Sequence, residues 1–313
     1  MHVTRCLLAL VLLWATAAQA DPIAYVSNEK SGSVSLIDVA TDKPIGELRA
    51  GAKPRGIAAS PDGARLYVSD QTANALVVVD LARREVEKQI PLGQSPEGIG
   101  LSRDGRWLAA AIEQTNAVTL VDTQAGVVVA TIPTTGKNPE HAVFSPDGRW
   151  LYVSAEEAAQ VDVIDVAARR QVGSIAVGRR PRGIGFTPDG RYAYVACELE
   201  SAVYVIDVAA RNVRTSVRAG EFSNGVAVAP DGARVYVSSG RGASVAVIDT
   251  DSNTVATTIA VGRRPWNMAL TADGAKLYVA NGRSNSVSVI DTRSLSRVAD
   301  IAVGELPWGV AIR

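Results

Sequence analysis

Cysteine and histidine are nearly absent from this sequence, which contains two residues of each type. His2 and Cys6 lie in the first twenty residues, so His141 and Cys197 are the only ones in the rest of the chain. A single cysteine cannot form an internal disulfide, and the fold must therefore be stabilised by packing. The same scarcity excludes sites that need several histidine or cysteine ligands, including most zinc sites.

The sequence also lacks an excess of positive charge, long apolar segments and the common catalytic motifs. Its 32 basic residues balance 32 acidic ones, whereas nucleic-acid-binding domains usually carry a basic excess. Beyond the N-terminal region, no apolar stretch reaches the roughly 18 residues needed to cross a membrane. No G-x-S-x-G, H-E-x-x-H, P-loop or C-x-x-C-H motif occurs. We therefore assign no catalytic residue, and we expect neither a nucleic-acid partner nor a membrane span.

The first twenty residues have the composition of a secretory leader. Arg5 precedes an apolar run, Cys6–Trp14, and Ala18-Gln19-Ala20 resembles a signal-peptidase site. We predict a signal peptide over residues 1–20, cleaved after Ala20. The mature chain, residues 21–313, is then expected in the periplasm or outside the cell.

A repeat of 42 residues runs through the whole mature chain. An aspartate that ends a V-I-D-like run recurs every 42 residues, once 43, at Asp38, Asp80, Asp122, Asp165, Asp207, Asp249 and Asp291. A second aspartate, in a Pro-Asp-Gly-like turn, recurs with the same spacing at Asp62, Asp104, Asp147, Asp189, Asp231 and Asp273. Because both recur in nearly every unit, we interpret them as turn residues. Seven such units fill residues 21–313 as a single domain.

Each unit contains four short strands, which we label a to d. In the second unit, these strands are expected at Arg55–Ser60, Leu66–Ser69, Ala75–Asp80 and Val86–Ile90. Four antiparallel strands repeated at about 40–45 residues are typical of a β-propeller blade. The mature chain starts at a strand b, and it stops after a strand a. We therefore predict an all-β, seven-bladed propeller of four-stranded blades, closed by the C-terminal strand joining the N-terminal blade, blade 1.

The loops from d to a and from b to c emerge on one face of such a ring, and they vary from blade to blade. A ligand site is therefore expected on this face, around the central channel. Tryptophan rings with arginine and asparagine side chains suit a planar or anionic small molecule. The candidate ligand-binding residues in this register are Arg55, Arg182, Asn224, Trp266, Asn267 and Trp308.

Carboxylates gather in the same register of blades 3 to 5, and they suggest a cation site assembled across blades. Hard cations such as Ca²⁺ or a lanthanide take about six or more oxygen ligands. The candidate metal-ligating residues are Glu97, Glu113, Glu140, His141, Glu156 and Glu198. Two alternatives stay open: a solvated rim with ion pairs such as Glu140 with Arg182, and an acid–base pair of Glu140 with His141.

The segments LYVSD, LYVSA, YAYVAC, VYVSS and LYVAN, each followed by a V-x-V-I-D-like run, resemble the YVTN-type β-propeller repeat. Three longer segments are similar to the β-propellers associated with PQQ-dependent catabolism: AYVSNEKSGSVSLIDVATDK, PEHAVFSPDGRWLYVSAEE and VGELPWGVAIR. This resemblance implies a periplasmic accessory role near quinoprotein alcohol oxidation, its metal supply or an associated ABC transporter. It implies no catalytic residues.

The leading hypothesis from the sequence is a non-enzymatic periplasmic propeller. It would bind a small molecule, a cation or a periplasmic protein on the face of the d–a and b–c loops. One alternative is a lactonase- or lyase-like enzyme, because some seven-bladed propellers with similar repeats act on lactones. The other is a surface module for protein interaction.

Overall fold

The fold consists of seven four-stranded antiparallel sheets, as predicted. A computed structural model describes residues 22–313, so the predicted signal peptide and Asp21 lie outside the described residues. Apart from the strands, the described chain contains one short 3-10 turn at Glu198–Glu200. No helix within residues 22–313 is long and apolar enough to cross a membrane.

The strands follow the repeat in chain order. Those of blades 1 to 4, apart from the closing strand, are β1 (Ile23–Asn28), β2 (Ser33–Asp38), β3 (Lys43–Arg49), β4 (Pro54–Ala59), β5 (Arg65–Asp70), β6 (Ala75–Asp80), β7 (Glu85–Pro91), β8 (Pro96–Leu101), β9 (Trp107–Ile112), β10 (Ala117–Asp122), β11 (Val127–Pro133), β12 (Pro139–Phe144), β13 (Trp150–Ala155), β14 (Gln160–Asp165) and β15 (Arg170–Ala176). The rest are β16 (Pro181–Phe186), β17 (Tyr192–Cys197), β18 (Ala202–Asp207), β19 (Asn212–Arg218), β20 (Ser223–Val228), β21 (Arg234–Ser239), β22 (Ser244–Asp249), β23 (Thr254–Ala260), β24 (Pro265–Leu270), β25 (Lys276–Asn281), β26 (Ser286–Asp291), β27 (Ser296–Ala302) and β28 (Pro307–Ile312). In every blade strand a is innermost and strand d is outermost.

Ring closure takes place in blade 1, where the strand order is β28–β1–β2–β3. β28 pairs antiparallel with β1, and Val26 lies opposite Val310. Two further backbone hydrogen bonds join the ends, from Ile23 N to Arg313 O at 2.8 Å and from Arg313 N to Ile23 O at 3.0 Å. The predicted closure is confirmed, and it pairs the edges that an open ring would expose.

The two repeated aspartates are turn residues, as predicted. Asp62 Oδ1 accepts hydrogen bonds from the Ser60 hydroxyl and from Ala64 N at 2.9 Å. Gly63 follows with φ +71°, a left-handed conformation that glycine adopts without strain. After strand c, Asp80 Oδ1 accepts from Arg83 N at 2.9 Å. The same local bonds recur from blade to blade, so these aspartates shape the loops opposite the predicted site.

Serines of the Tyr-Val-Ser motif connect each of several blades to the next. Ser69 Oγ donates to the carbonyl of Glu97 at 2.6 Å and accepts from Gly56 N at 2.8 Å. Ser238 makes the equivalent bond to the carbonyl of Trp266 at 2.6 Å. Each of these serines is buried. The motif therefore fixes the backbone of the second residue of strand a in the following blade, and those second residues face the candidate site.

Candidate functional site

A cavity of about 310 Å³ opens at the centre of the face formed by the d–a and b–c loops, a size that suits a small molecule. We call it the funnel. All seven blades contribute to its lining, which consists of Arg55, Glu97, Glu113, Asn138, Glu140, Glu156, Glu157, Arg180, Arg182, Asn224, Arg264, Trp266 and Trp308. The blade register therefore brings together five of the six candidate ligand-binding residues. The sixth, Asn267, instead donates from Nδ2 to the carbonyl of Trp308 at 3.3 Å.

The innermost strands approach one another so closely at the third residue of strand a that glycine is required. A Cβ added to Gly56 would lie 2.7 Å from the carbonyl oxygen of Glu97, and one added to Gly225 would lie 2.3 Å from that of Trp266. His141 and Asn267 are the two side chains that occupy this level of the channel. The channel is therefore narrow beneath the funnel, and these two residues occupy the space that remains.

His141 closes the channel by stacking on Trp308. The ring centroids are 5.4 Å apart and the ring planes differ by 11°. Both ring nitrogens of His141 are shielded from solvent, and the Asn267 side chain is the polar group close enough to interact with them. Burial and the nearby charge of Arg182 lower the pKa of His141 to about 4. The ring is therefore neutral at neutral pH, and its nitrogens do not act with Glu140 as the acid–base pair considered above.

Arg182 is held by three glutamates from two blades. Its Nη1 lies 2.8 Å from Glu140, its Nη2 lies 3.0 Å from Glu156 and its Nε lies 2.9 Å from Glu198. The Arg182 side chain is 11% exposed, and the three carboxylates are at most 8% exposed. The Glu140–Arg182 ion pair is thus formed, as predicted, but it is buried. The prediction that this pair belongs to a solvated rim is therefore wrong. Removing one partner of such a buried cluster strongly destabilises the fold, because the remaining charges are left unpaired.

Arg264 and Arg180 extend this cluster, and neither was among the predicted site residues. Arg264, next to β24 of blade 7, reaches across blade 6 to Glu198, with Nη2 and Oε1 3.3 Å apart. Arg180 contacts Glu156, and its Nε lies 3.3 Å from Glu198. Both arginines have left-handed backbones, with φ of +59° for Arg180 and +54° for Arg264. The sequence signal was available, because each directly precedes the proline that starts strand a.

A second charge cluster surrounds Glu97. This carboxylate contacts Arg55, whose Nε also lies 3.2 Å from Glu29. Burial, and then the Glu140 carboxylate, raise the pKa of Glu97 to about 9 despite Arg55. Burial likewise raises the pKa of Glu156, although Arg182 opposes that shift. Glu97 is therefore protonated at neutral pH, and the funnel holds a neutral acid among ionised carboxylates.

The carboxylates do not form the predicted cation site. Within residues 22–313, no group of three or more His, Cys, Asp or Glu side chains is arranged to hold a metal ion. Four of the six proposed ligands contact arginines instead, namely Glu97, Glu140, Glu156 and Glu198. Glu113 accepts from Ser95 Oγ at 2.6 Å, and His141 stacks on Trp308. These residues do not fit Ca²⁺ or a lanthanide, because the arginines already occupy the positions near the carboxylate oxygens.

Comparison with protein families gives two matches to propellers. Residues 165–305 match the sequence profile described as lactonase, 7-bladed beta-propeller. Residues 15–106 match the profile described as YNCE-like beta-propeller. No curated protein matches the chain significantly. The chain is thus a seven-bladed propeller by sequence as well as by structure.

Solved structures share the fold over nearly the whole chain. A chain of Kuenenia stuttgartiensis hydrazine synthase is 28% identical, with a TM-score of 0.79 over 86% of this chain and 92% of that one. A Bacteroides uniformis protein described as a "putative 6-phosphogluconolactonase" is 19% identical, with a TM-score of 0.78 over 94% and 100%. Its counterpart from Bacteroides fragilis is 19% identical, with a TM-score of 0.79 over 96% and 100%.

The lactonase match corrects the functional expectation. The matched segment contains Arg182, Glu198 and Arg264, which form the cluster at the base of the funnel. The hypothesis of a non-enzymatic accessory propeller is therefore wrong, and the lactonase-like alternative is favoured. Neither matching profile is that of the PQQ-associated propellers, so this narrower resemblance stays a prediction.

Proposed function

We propose that this protein is a lactonase-like hydrolase that opens a cyclic ester in the funnel. The observation that carries the proposal is the position of the Arg182–Glu198–Arg264 cluster, which faces the cavity and lies within the segment that matches the lactonase profile. Two tryptophans of the lining, Trp266 and Trp308, offer apolar surface to the ring of a bound lactone.

Arg182 and Arg264 are the proposed groups that stabilise the oxyanion. Hydrolysis of an ester places negative charge on the carbonyl oxygen, and donors fixed in advance stabilise that charge. A guanidinium has five N–H donors. The three carboxylate contacts of Arg182 leave donors free for a carbonyl oxygen, and Arg264 has a single carboxylate contact. The glutamates hold both guanidinium groups in place.

Glu156 and Glu97 are the proposed base and acid. A water molecule loses its proton to the Glu156 carboxylate as its oxygen bonds to the carbonyl carbon. The bond between that carbon and the ring oxygen then breaks, and the ring oxygen takes the proton of the neutral Glu97 carboxyl. The product is a hydroxy acid. The pKa of Glu156 is raised and that of Glu97 is about 9, which suits these opposite roles near neutral pH.

The test is hydrolysis of δ- and γ-lactones by the purified protein, followed by proton release at constant pH. Replacing Glu156 with glutamine keeps the shape of the side chain and removes the base, so kcat should fall by about 100-fold or more. Glu47→Gln, on the exposed outer strand β3, is the matched control and should keep full activity. The proposal fails if no lactone is hydrolysed above the blank rate, or if Glu156→Gln is as active as Glu47→Gln.

The leader predicted over residues 1–20 places this activity in the periplasm or outside the cell. This location is part of the proposal and rests on the sequence alone. Alkaline phosphatase fused behind residues 1–21, which include the leader, should be active in cells. The same enzyme fused to a chain that starts at Asp21, and so lacks the leader, should be inactive there.

A further inference from the structure

A second groove opens beside the funnel, between blades 2 and 3. Its volume is about 530 Å³, within the range of sites for small molecules. Six of its eight lining residues are neutral and polar, and the full set is Lys53, Gln71, Thr72, Asn74, Gln94, Ser95, Glu113 and Gln114. We call it the amide groove. Glu113 lines both cavities, so the groove continues the funnel outward.

The floor of the amide groove is ordered by hydrogen bonds. Gln71 Nε2 donates to Ser95 Oγ at 2.7 Å, and Ser95 Oγ donates to Glu113 Oε2 at 2.6 Å. Asn74 Oδ1 accepts from Ser95 N at 2.9 Å. At the outer edge, Gln94 and Gln114 are exposed. A primary amide offers both donors and an acceptor, a combination that matches hydroxyl groups and carries no charge.

The funnel has an excess of negative charge. Each arginine of its lining already contacts a glutamate: Arg55 contacts Glu97, Arg180 contacts Glu156, Arg182 contacts three carboxylates and Arg264 contacts Glu198. The four arginines face six ionised glutamates in or against the lining, and these are Glu29, Glu113, Glu140, Glu156, Glu157 and Glu198, whereas Glu97 is neutral. Like charges brought together at an interface are strongly unfavourable. A phosphate or carboxylate group on a ligand would therefore be repelled.

Other cations of the same face lie at the margin of the site, although the charge of Arg283 helps to lower the pKa of Arg264. Arg263 and Arg283 are exposed, and they line neither the funnel nor the amide groove. Lys53 lines the amide groove, but its Nζ lies 3.5 Å from Glu29. The funnel and the amide groove together thus offer a ligand neutral hydrogen-bonding groups. Their arginine and lysine side chains are already paired with glutamates.

We infer that the substrate is an uncharged, polyhydroxylated lactone, whose ester lies in the funnel and whose hydroxyl groups contact the amide groove. This inference rests on the proposed function and specifies its substrate class. An unphosphorylated sugar lactone has this chemistry. The phosphate ester of the same lactone has the wrong charge for the site.

The first experiment compares the hydrolysis of glucono-1,5-lactone with that of its 6-phosphate. We expect kcat/KM to be at least about tenfold higher for the uncharged lactone, because the phosphate faces uncompensated carboxylates. Equal or faster hydrolysis of the 6-phosphate would overturn the inference, although the proposed function would stand.

The second experiment tests the amide groove. Gln94→Ala with Gln114→Ala should raise KM for glucono-1,5-lactone by about 3- to 10-fold, the effect of losing one or two neutral hydrogen bonds. The kcat should stay unchanged, and so should both constants for δ-valerolactone, which has no hydroxyl groups. Gln124→Ala, an exposed glutamine on the opposite face, is the matched control. Equal effects on both lactones, or no effect on either, would contradict a role of the groove in recognition.

A binding measurement separates the two proposals. The lactam analogue of glucono-1,5-lactone cannot be hydrolysed as an ester, and its binding near Trp266 and Trp308 can be followed by tryptophan fluorescence. Binding of the lactam but not of its 6-phosphate, without turnover of any lactone, would overturn the hydrolase proposal and support the ligand class. Tighter binding of the 6-phosphate, or binding of neither compound, would overturn the ligand class.

Discussion

His141 of blade 4 stacks on Trp308 of blade 1, and these blades are three positions apart in the seven-membered ring. The contact therefore spans the central channel and gives the funnel a floor. At the level of His141, five of the other six blades, including blade 1, have glycine, and added Cβ atoms there would collide with neighbouring strands. A ligand in the funnel is thus expected to enter and leave through one face.

The His141 ring, whose two nitrogens are shielded from solvent, should make the protein sensitive to acid. Its pKa is about 4 in the folded chain, below the value of 6.5 expected in the unfolded chain. Between these values the unfolded chain takes up a proton that the folded chain does not, so the free energy of unfolding falls as the pH falls from 6.5 to 4. The loss should be on the order of 3 kcal/mol.

His141→Phe checks this origin, because phenylalanine preserves stacking and does not titrate. Urea unfolding of both proteins at pH 7 and pH 4.5 should show a smaller loss of stability in the variant. The variant should keep a stability close to that of the wild type at pH 7, since the stack on Trp308 is preserved. An identical pH dependence in the two proteins would assign the acid sensitivity to other groups.

Removing Arg182 should destabilise the fold strongly. Arg182→Met leaves three buried carboxylates without their shared partner, and the free energy of unfolding should fall by about 3–5 kcal/mol. Arg283→Met, an exposed arginine on the same face, is the control and should change stability by at most about 0.5 kcal/mol. Urea denaturation at pH 7 measures both. A loss below 1 kcal/mol for Arg182→Met would mean that solvent reaches the cluster.

The repeat was sufficient to predict the fold, and it predicted only part of the site. Six nearly equal spacings between seven aspartates defined the blades, and the register correctly placed Arg55, Glu97 and Trp266 around one cavity. The grouping of the carboxylates of blades 3 to 5 into a cation site was wrong, because arginines contact them, and Arg264 reaches across a whole blade to Glu198. Such contacts depend on side-chain length and on the radius of the ring, which spacing along the chain does not contain.

The stack of His141 on Trp308 illustrates the same limit. The sequence showed that His141 departs from the glycine register, but it did not show the direction of the ring across the channel. Likewise, the serines of the repeat were treated as part of a fold signature. In the structure, Ser69 and Ser238 hold the backbones of funnel residues in the next blade.

The proposed acid and base predict a bell-shaped pH profile for kcat/KM of lactone hydrolysis. Activity should rise with pH as Glu156 ionises, at a pH above the ordinary glutamate pKa, because burial raises its pKa. It should fall again near pH 9 as Glu97 loses its proton. Glu97→Gln cannot supply that proton, so it should lower activity and remove the alkaline limb. An unchanged alkaline limb in Glu97→Gln would exclude Glu97 as the acid.

The closure of the ring predicts how the chain tolerates new ends. Ile23 and Arg313 are joined by two backbone hydrogen bonds, so a short Gly-Ser linker between residues 313 and 22 should cause little strain. A circular permutant opened in the turn at Asp104 should fold, with a melting temperature within a few degrees of the parent. A chain that stops at Leu306 lacks β28 and exposes the inner edge of β1, so it should aggregate or unfold at room temperature. Thermal unfolding followed by circular dichroism distinguishes these outcomes, and a stable, monomeric truncated chain would show that the closing strand is dispensable.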